Sequence, residues 1–353
     1  MKNKKEQPLI RENGRILVIQ YRPIGDILLT SPIAEYLKTL YPQLKITFMI
    51  YKQYYPIIEH NPYIDDVILV DDIKIEDISD FIDYMLSRVV LIKKLREDPY
   101  DIILDYIGNP SSAIMSFLSK AEYKVGYYKK SSPRTLLYNV KAEYDESDKY
   151  TILRKYDLLK PFNIGYKDRV LFSRVFLTQD EIQFADDFFH TYNLNNKFTV
   201  ILSPNSPREY KRWTRENYRD LAKILIDNYG ARILILYGPG EREYCLTLSN
   251  QIGKGAMLLP DTTILQAAAL IRNSSLAILN CSGVKHVSLA VGTPSITIFG
   301  KTKPENWHPQ GVEWADYIKG EYIEGYNSFG IFPEQVMENI DDFIARGIVE
   351  LPV

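Results

Sequence analysis

Arg15-Ile16-Leu17-Val18-Ile19-Gln20-Tyr21-Arg22-Pro23-Ile24-Gly25-Asp26 is the stretch that decides the fold. Ile16 to Ile19 is a short continuous apolar run. Such runs suit strands buried on both faces, as in parallel sheets. A turn with Pro23 and Gly25 follows, then a helix-like stretch to Leu40 that Pro42 ends. Ile46 to Ile50, Val67 to Val70 and Ile102 to Leu104 read as further strands, the last reached through the helical segment Phe81 to Arg96. Strands that alternate with helices are the signature of βαβ units.

The pattern then restarts. Phe198 to Leu202, Ile233 to Leu236, Leu276 to Leu279 and Ile296 to Phe299 read as strands. Helices are expected over Glu216 to Asn228, from Glu241, over Leu265 to Arg272 and from Lys285 to Val291. Gly230 is placed to end the first of these, and Thr262 or Thr263 to cap the third. The 353 residues exceed what one core usually supports. The expected domains are 1–175 and 176–330, with the boundary near 165–180 and a last helix in 331–353.

Bulk properties narrow the class. Hydrophobic residues make up 46% and charged residues 25%, which is ordinary globular composition. A net charge of −2 argues against a whole-protein grip on nucleic acid. Two cysteines, Cys245 and Cys281, are too few for a disulfide scaffold and fit a reducing compartment. No apolar run is long enough to span a bilayer, and Met1 to Arg15 lacks the apolar core of a signal peptide. The expectation is a cytoplasmic protein whose membrane contact, where present, is peripheral. His60, His190, His286 and His308 are scattered without metal-ligand spacing, and neither a Walker loop nor GxGxxG is present. No metal or cofactor is expected.

Ligands of open parallel sheets bind beyond the carboxyl ends of the strands, so the loops there carry the chemistry. Gly25 and Asp26 follow the first strand; Asp26 reads either as a helix cap or as a general base. Ser206 to Trp213 follows Phe198 to Leu202 and brings Lys211 and Arg212, a pair of cations suited to a diphosphate or to solvent. Tyr237-Gly238-Pro239-Gly240-Glu241 suits close approach to a ligand, with Glu241 able to accept ribose hydroxyls. In Asn280-Cys281-Ser282-Gly283-Val284-Lys285-His286, Ser282 and Gly283 at a helix start form a ready phosphate site. His286 reads as a ligand contact or as a satisfied core histidine.

Taken in order, these loops resemble one family, the bacterial heptosyltransferases of glycosyltransferase family nine. The resemblance rests on RILVIQYRPIGDILLTSPIAEYLKTLYP, EHNPYIDDVILVD, YDIILDYIGN, KRWTRENYRDLA, YGPGERE, NCSGVKHVSLAVGTPSITIFG and KTKPENWHP, over roughly residues 15–345. It implies the GT-B fold, two Rossmann-like parallel-sheet domains with a cleft between them and a C-terminal helix packing back on the first domain. It implies inverting, metal-independent transfer of a sugar from a nucleotide-sugar donor, typically ADP-heptose, to a lipopolysaccharide-core or other cell-surface glycolipid acceptor. By this resemblance Asp26 is the catalytic base and Lys211 meets the donor diphosphate. Gly25, Ser206, Glu241 (or Glu243), Cys281, Ser282, Gly283 and His286 fall to donor binding.

The chain departs from the family pattern in one loop. Where the family carries N-D-S/T-G-P-M-H, Cys281 replaces an aspartate that faces the donor sugar, and Val284-Lys285 replaces Pro-Met, placing a cation beside the phosphate site. A thiol is a poor acceptor for sugar hydroxyls. A sugar-nucleotide epimerase and a non-catalytic nucleotide-binding paralogue therefore stand as alternatives. Lys120, Lys124, Lys129, Lys130 and Arg134 form a basic run that reads as an acceptor contact, an anionic membrane contact or a solvated surface. On the helix Phe81 to Arg96, the face of Phe81, Met85, Val89 and Ile92 is expected to pack into the core, with an interfacial membrane helix as the alternative.

Overall fold

The computed structural model describes residues 8–128, 132–145, 147–165, 172–206, 208–321 and 329–352. Among them, twelve strands run in two parallel sheets. The first sheet comprises β1 (Arg15–Ile19), β2 (Lys45–Tyr51), β3 (Asp66–Val70), β4 (Ile102–Asp105), β5 (Tyr123–Tyr128) and β6 (Val140–Glu143). The second comprises β7 (Thr199–Ser203), β8 (Arg232–Ile235), β9 (Ala256–Leu258), β10 (Leu276–Asn280), β11 (Ser295–Phe299) and β12 (Ala315–Lys319). The helices are α1 (Ile24–Thr30), α2 (Pro32–Leu40), α3 (Ile78–Glu97), α4 (Pro110–Leu118), α5 (Thr151–Lys155) and α6 (Gln179–Thr191). They continue with α7 (Arg215–Tyr229), α8 (Arg242–Ile252), α9 (Ile264–Asn273), α10 (Gly283–Val291), α11 (Pro304–Trp307) and α12 (Pro333–Ala345). The chain divides into two compact units, 1–171 and 172–353.

The sheets share one winding order. The first reads β3-β2-β1-β4-β5-β6, and the second reads β9-β8-β7-β10-β11-β12 in the same sense. Every pairing is parallel. The apolar runs occupy the middle of each sheet, where Leu17, Ile19 and Ile103, and likewise Val200, Leu202 and Ile278, are fully buried. The order reverses between β1 and β4 in one unit and between β7 and β10 in the other. A crevice opens at such a reversal, beyond the carboxyl ends of the strands.

Helix ends follow their capping residues. Thr263 caps α9 by accepting from the Gln266 N–H at 3.2 Å while the Gln266 side chain accepts from the Thr263 N–H. Gly230 ends α7 in the left-handed conformation that a side chain would strain. Four strands escaped the sequence reading: β5, β6, β9 and β12. β5, β6 and β12 mix polar with apolar residues, and β9 is only three residues long and half-exposed.

The last helix contributes to the second unit's core. Val336, Ile340 and Phe343 of α12 are buried there, with Leu221 and Leu225 of α7 in the same cluster.

One buried polar residue anchors the first crevice. Asp105, fully buried, ends β4 and accepts from the N–H groups of Ile107 (2.9 Å) and Gly108 (3.0 Å) and from the Tyr138 hydroxyl (2.7 Å). Replacing it by alanine leaves three donors without an acceptor. We expect Asp105→Ala to lose about 3 kcal/mol or more of stability, read as a lowered midpoint in urea unfolding with an unchanged slope.

Candidate functional site

The first unit gathers Asp26, Tyr106 and Lys155 at its reversal. Asp26 lies in the first turn of α1, directly after β1, and its side chain is partly exposed. It is not the helix cap, since Pro23 holds that position and no side chain caps the helix. Gly25 is helical and buried, not a left-handed turn. Opposite Asp26 stands Lys155, with Nζ 4.0 Å from Oδ1. Lys155 closes α5, is buried, and lies 5.3 Å from the ring centre of Tyr106, the residue after β4. The buried Tyr106 hydroxyl has no partner among the described residues. Burial lowers the Lys155 pKa to about 8, against the pull of Asp26, with Arg22 and Arg154 adding to the lowering. The sequence reading missed both Lys155 and Tyr106. Lys155 lies more than a hundred residues from Asp26, and only the fold brings them together.

The second unit assembles Lys211, Ser282, His286 and Trp307 around its own reversal. The loop after β7 carries Ser206, buried, and Lys211 at the end of a 3-10 turn. Arg212 folds back, its Nε donating to the Ser206 carbonyl at 2.7 Å, so Lys211 is the cation left toward the site. Lys211 Nζ stands 5.9 Å from the Trp307 ring centre. His286 packs against the same indole, with ring centres 6.1 Å apart. Trp307 belongs to the KTKPENWHP segment, quoted above for its family pattern but given no role there.

Asn280 fixes this loop. It is fully buried at the end of β10; its Nδ2 donates to the Pro204 carbonyl at 2.7 Å and its Oδ1 accepts from the Trp213 N–H at 2.9 Å. Both ends of the Lys211 loop are thereby tied to the strand that leads into Ser282 and α10. Ser282 is the residue before α10, and its Oγ has no partner among the described residues, nor has His286 Nδ1. Burial pushes the His286 pKa well below the usual range, and Lys285, Lys211 and His308 push it the same way. The imidazole is therefore neutral and able to accept or donate one hydrogen bond.

Lys285, expected to add a cation beside the phosphate site, has its ammonium bound within the fold. It is fully buried on α10, with Nζ donating to the Trp307 carbonyl and 5.2 Å from the Phe299 ring centre. Burial lowers its pKa to about 7. Cys281 is buried next to Ser282. Glu241 is already half used, its Oε2 accepting from the Gly238 N–H at 2.8 Å, while Glu243 is exposed.

The basic run is divided. Lys120 and Lys124 sit at the amino end of β5, on the edge opposite Asp26, and Lys124 Nζ donates to the Ala121 carbonyl at 2.7 Å. Arg134 lies beyond the carboxyl end of β5, its Nε donating to Ser132 Oγ at 3.1 Å. Lys129 and Lys130 lie outside the described residues. Among the described residues no three His, Cys, Asp or Glu side chains are grouped to hold a metal ion.

Two doubly wound sheets, one with a cation and a helix start at its reversal, define an α/β protein of the kind that binds ligands beyond the carboxyl ends of its strands. The chain belongs to glycosyltransferase family 9 (heptosyltransferase), whose profile matches residues 88–319. It is thus a glycosyltransferase. It is 25% identical over 319 residues to lipopolysaccharide heptosyltransferase 3 of Escherichia coli, covering 85% of this chain and 87% of that protein. Among solved structures, E. coli ADP-heptose lps heptosyltransferase II superposes with a TM-score of 0.79 at 21% identity, over 95% of this chain and 100% of that one. E. coli heptosyltransferase WaaC with ADP-2-deoxy-2-fluoro heptose follows at 0.72 and 19%, over 93% of this chain and 99% of that one. Both structural likenesses establish the fold.

The Asp26–Lys155 pair gives a titration that needs no substrate. As pH rises through about 8, Lys155 sheds its proton and Asp26 loses its facing charge. We expect the carboxyl carbon of Asp26, followed by NMR, to report the Lys155 titration as an inflection near that pH in the wild type. Lys155→Met should abolish it and Lys155→Arg should move it beyond the accessible range.

Proposed function

We propose that this enzyme transfers heptose, or a related sugar, from an ADP-linked donor to a lipopolysaccharide-core type glycolipid, with inversion and without a metal ion. The observation that carries the reading is the cluster of Lys211, Ser282 Oγ and His286 Nδ1 at the reversal of the second sheet. Two of these are buried polar atoms that lack a partner among the described residues. A buried polar group without a partner is costly, so such groups are commonly kept for a ligand. The fold's likeness to a heptosyltransferase solved with an ADP-heptose analogue favours the same class of donor here.

In this reading the acceptor hydroxyl attacks the anomeric carbon from the face opposite the nucleotide. The new carbon–oxygen bond forms as the bond to the diphosphate oxygen breaks, through an oxocarbenium-like transition state. Asp26 takes the hydroxyl proton. Lys155 faces its carboxylate and holds it in place. Negative charge grows on the departing ADP, and Lys211 with the N–H groups at the start of α10 meets it. Those groups stand in for a metal ion. Neutral His286 bonds a phosphate oxygen without adding charge. Glu241 keeps one carboxylate oxygen for ribose. Among the described members of the basic run, Arg134 lies beyond the carboxyl end of β5, and the reading assigns it to the acceptor. A glycolipid acceptor calls for peripheral attachment at the cytoplasmic face of the inner membrane.

Cys281 bears on the sugar. It follows Asn280, whose amide is spent on the Lys211 loop, so position 281 is next to the site without being part of its scaffold. A thiol there removes a hydroxyl acceptor from the sugar half of the site.

We expect Asp26→Asn to lower turnover roughly 10²- to 10⁴-fold while calorimetric ADP affinity stays within about twofold. Wild-type turnover in that variant would end the base assignment. Lys211→Ala should cost about 10²- to 10³-fold in turnover. With ADP-heptose as donor and released ADP as the readout, Cys281→Asp should raise kcat/KM. No change there would show that residue 281 does not touch the sugar.

A further inference from the structure

The 20-residue helix α3 turns a second apolar face to solvent. Its inner stripe is narrow: Arg88 and Leu95 are buried, with Tyr84 and Leu91 half-buried beside them. Arg88 lies against the first unit's core with its guanidinium 4.5 Å from the Tyr84 ring centre and 5.8 Å from that of Tyr21. On the other side Phe81 is 48% exposed, Leu86 58%, Val89 58% and Val90 66%. Ile78, Ile82 and Met85 are exposed as well. At 3.6 residues per turn these side chains fill about half of the circumference. The sequence reading expected Phe81, Met85 and Val89 to be core, and the structure corrects this.

The exposed arc has a charge of its own. Lys93 and Arg96 lie on it at the carboxyl end of the helix, and Lys120 joins them around a shallow hollow with Val89 and Ile92. Of the acidic residues, Asp77 and Asp80 are spent on the helix cap, accepting backbone N–H groups at 2.8–3.3 Å. Asp80 and Asp83 fall outside the arc by helical spacing, and Glu97 is met by Lys93 at 3.7 Å. The patch continues onto the neighbouring α4 through exposed Ile114, Phe117 and Leu118, where Arg96 Nη1 donates to the Leu118 carbonyl at 2.9 Å. No described helix is long and apolar enough to cross a membrane.

We propose that this face of α3, extended by α4, docks on the surface of an anionic lipid bilayer. Large apolar side chains flanked by lysine and arginine suit insertion among acyl chains with cations at the headgroup phosphates. A protein partner of equal apolar area would not need the cations at the rim. The helix begins at the carboxyl edge of the first sheet, the edge that carries Asp26, and ends at the opposite edge. The docking surface rests on the glycolipid-acceptor reading for its purpose, but its existence is tested separately.

The test is co-sedimentation of the full chain with extruded vesicles. Half phosphatidylglycerol and half phosphatidylethanolamine is compared with pure phosphatidylcholine, at low and at 0.5 M salt, the latter about a twofold-or-more cut in screening length. We expect binding to the anionic vesicles that weakens with salt, and weak binding to the neutral ones. Leu86→Glu with Val89→Glu should abolish binding, and both positions are exposed enough for the variant to fold. Lys93→Gln with Lys120→Gln should weaken it by an order of magnitude or more, about fivefold per cation. Absence of anionic-vesicle binding, or binding that survives the glutamate pair, overturns the proposal. So does a concentration-dependent dimer in sedimentation velocity that the glutamate pair dissolves while vesicles go unbound, since the face would then join two copies. Vesicle binding without ADP affinity would remove the ADP-linked donor reading and leave the surface standing. ADP affinity without vesicle binding would do the reverse.

Discussion

Each sheet depends on one buried polar side chain in the same place. The strand across the reversal from the first strand ends in Asp105 in one unit and Asn280 in the other, and both are fully buried. Parallel strands leave their last backbone groups unpaired at the carboxyl end, and loops must turn there without losing those groups to a dry interior. Asp105 collects two loop N–H groups and a tyrosine hydroxyl. Asn280, with a donor and an acceptor, collects a carbonyl and an N–H from the loop across the crevice. The choice between acid and amide follows from what each loop presents. The loops that leave β4 and β7 are held by these anchors.

Chemistry then separates by unit. The first unit sets a carboxylate 4.0 Å from a buried ammonium, an arrangement that orients the carboxylate at the reversal. The second sets one accessible lysine near a neutral histidine and a helix start, an arrangement that favours an anion. Lys285, buried between the Trp307 carbonyl and the Phe299 ring, adds a third element. With a pKa of about 7 it carries only part of a charge near neutrality, so it braces Trp307 more than it attracts a ligand.

Much of this was legible in the sequence. The central strands announced themselves because burial on both faces demands unbroken apolar runs such as Ile16 to Ile19. Asp26 and the Ser282 loop were legible because they immediately follow those runs. What escaped was set by distance or by environment. β5 and β12 are strands only because a neighbour supplies their hydrogen bonds. Lys155 looks like any helical lysine until the fold buries it against Tyr106. The outer face of α3 has the spacing of a core-facing stripe, and spacing cannot tell which of two apolar sides meets the interior.

The Asn280 clamp bears on ancestry and divergence. It grips main-chain atoms of Pro204 and Trp213, not their side chains. The loop's identity can therefore drift while its path is inherited intact. Cys281, one step further along the chain, lies outside the clamp and is exempt from that inheritance. On the proposed donor reading, a lineage can exchange this residue and alter the sugar half of the site while the path of the Lys211 loop is kept.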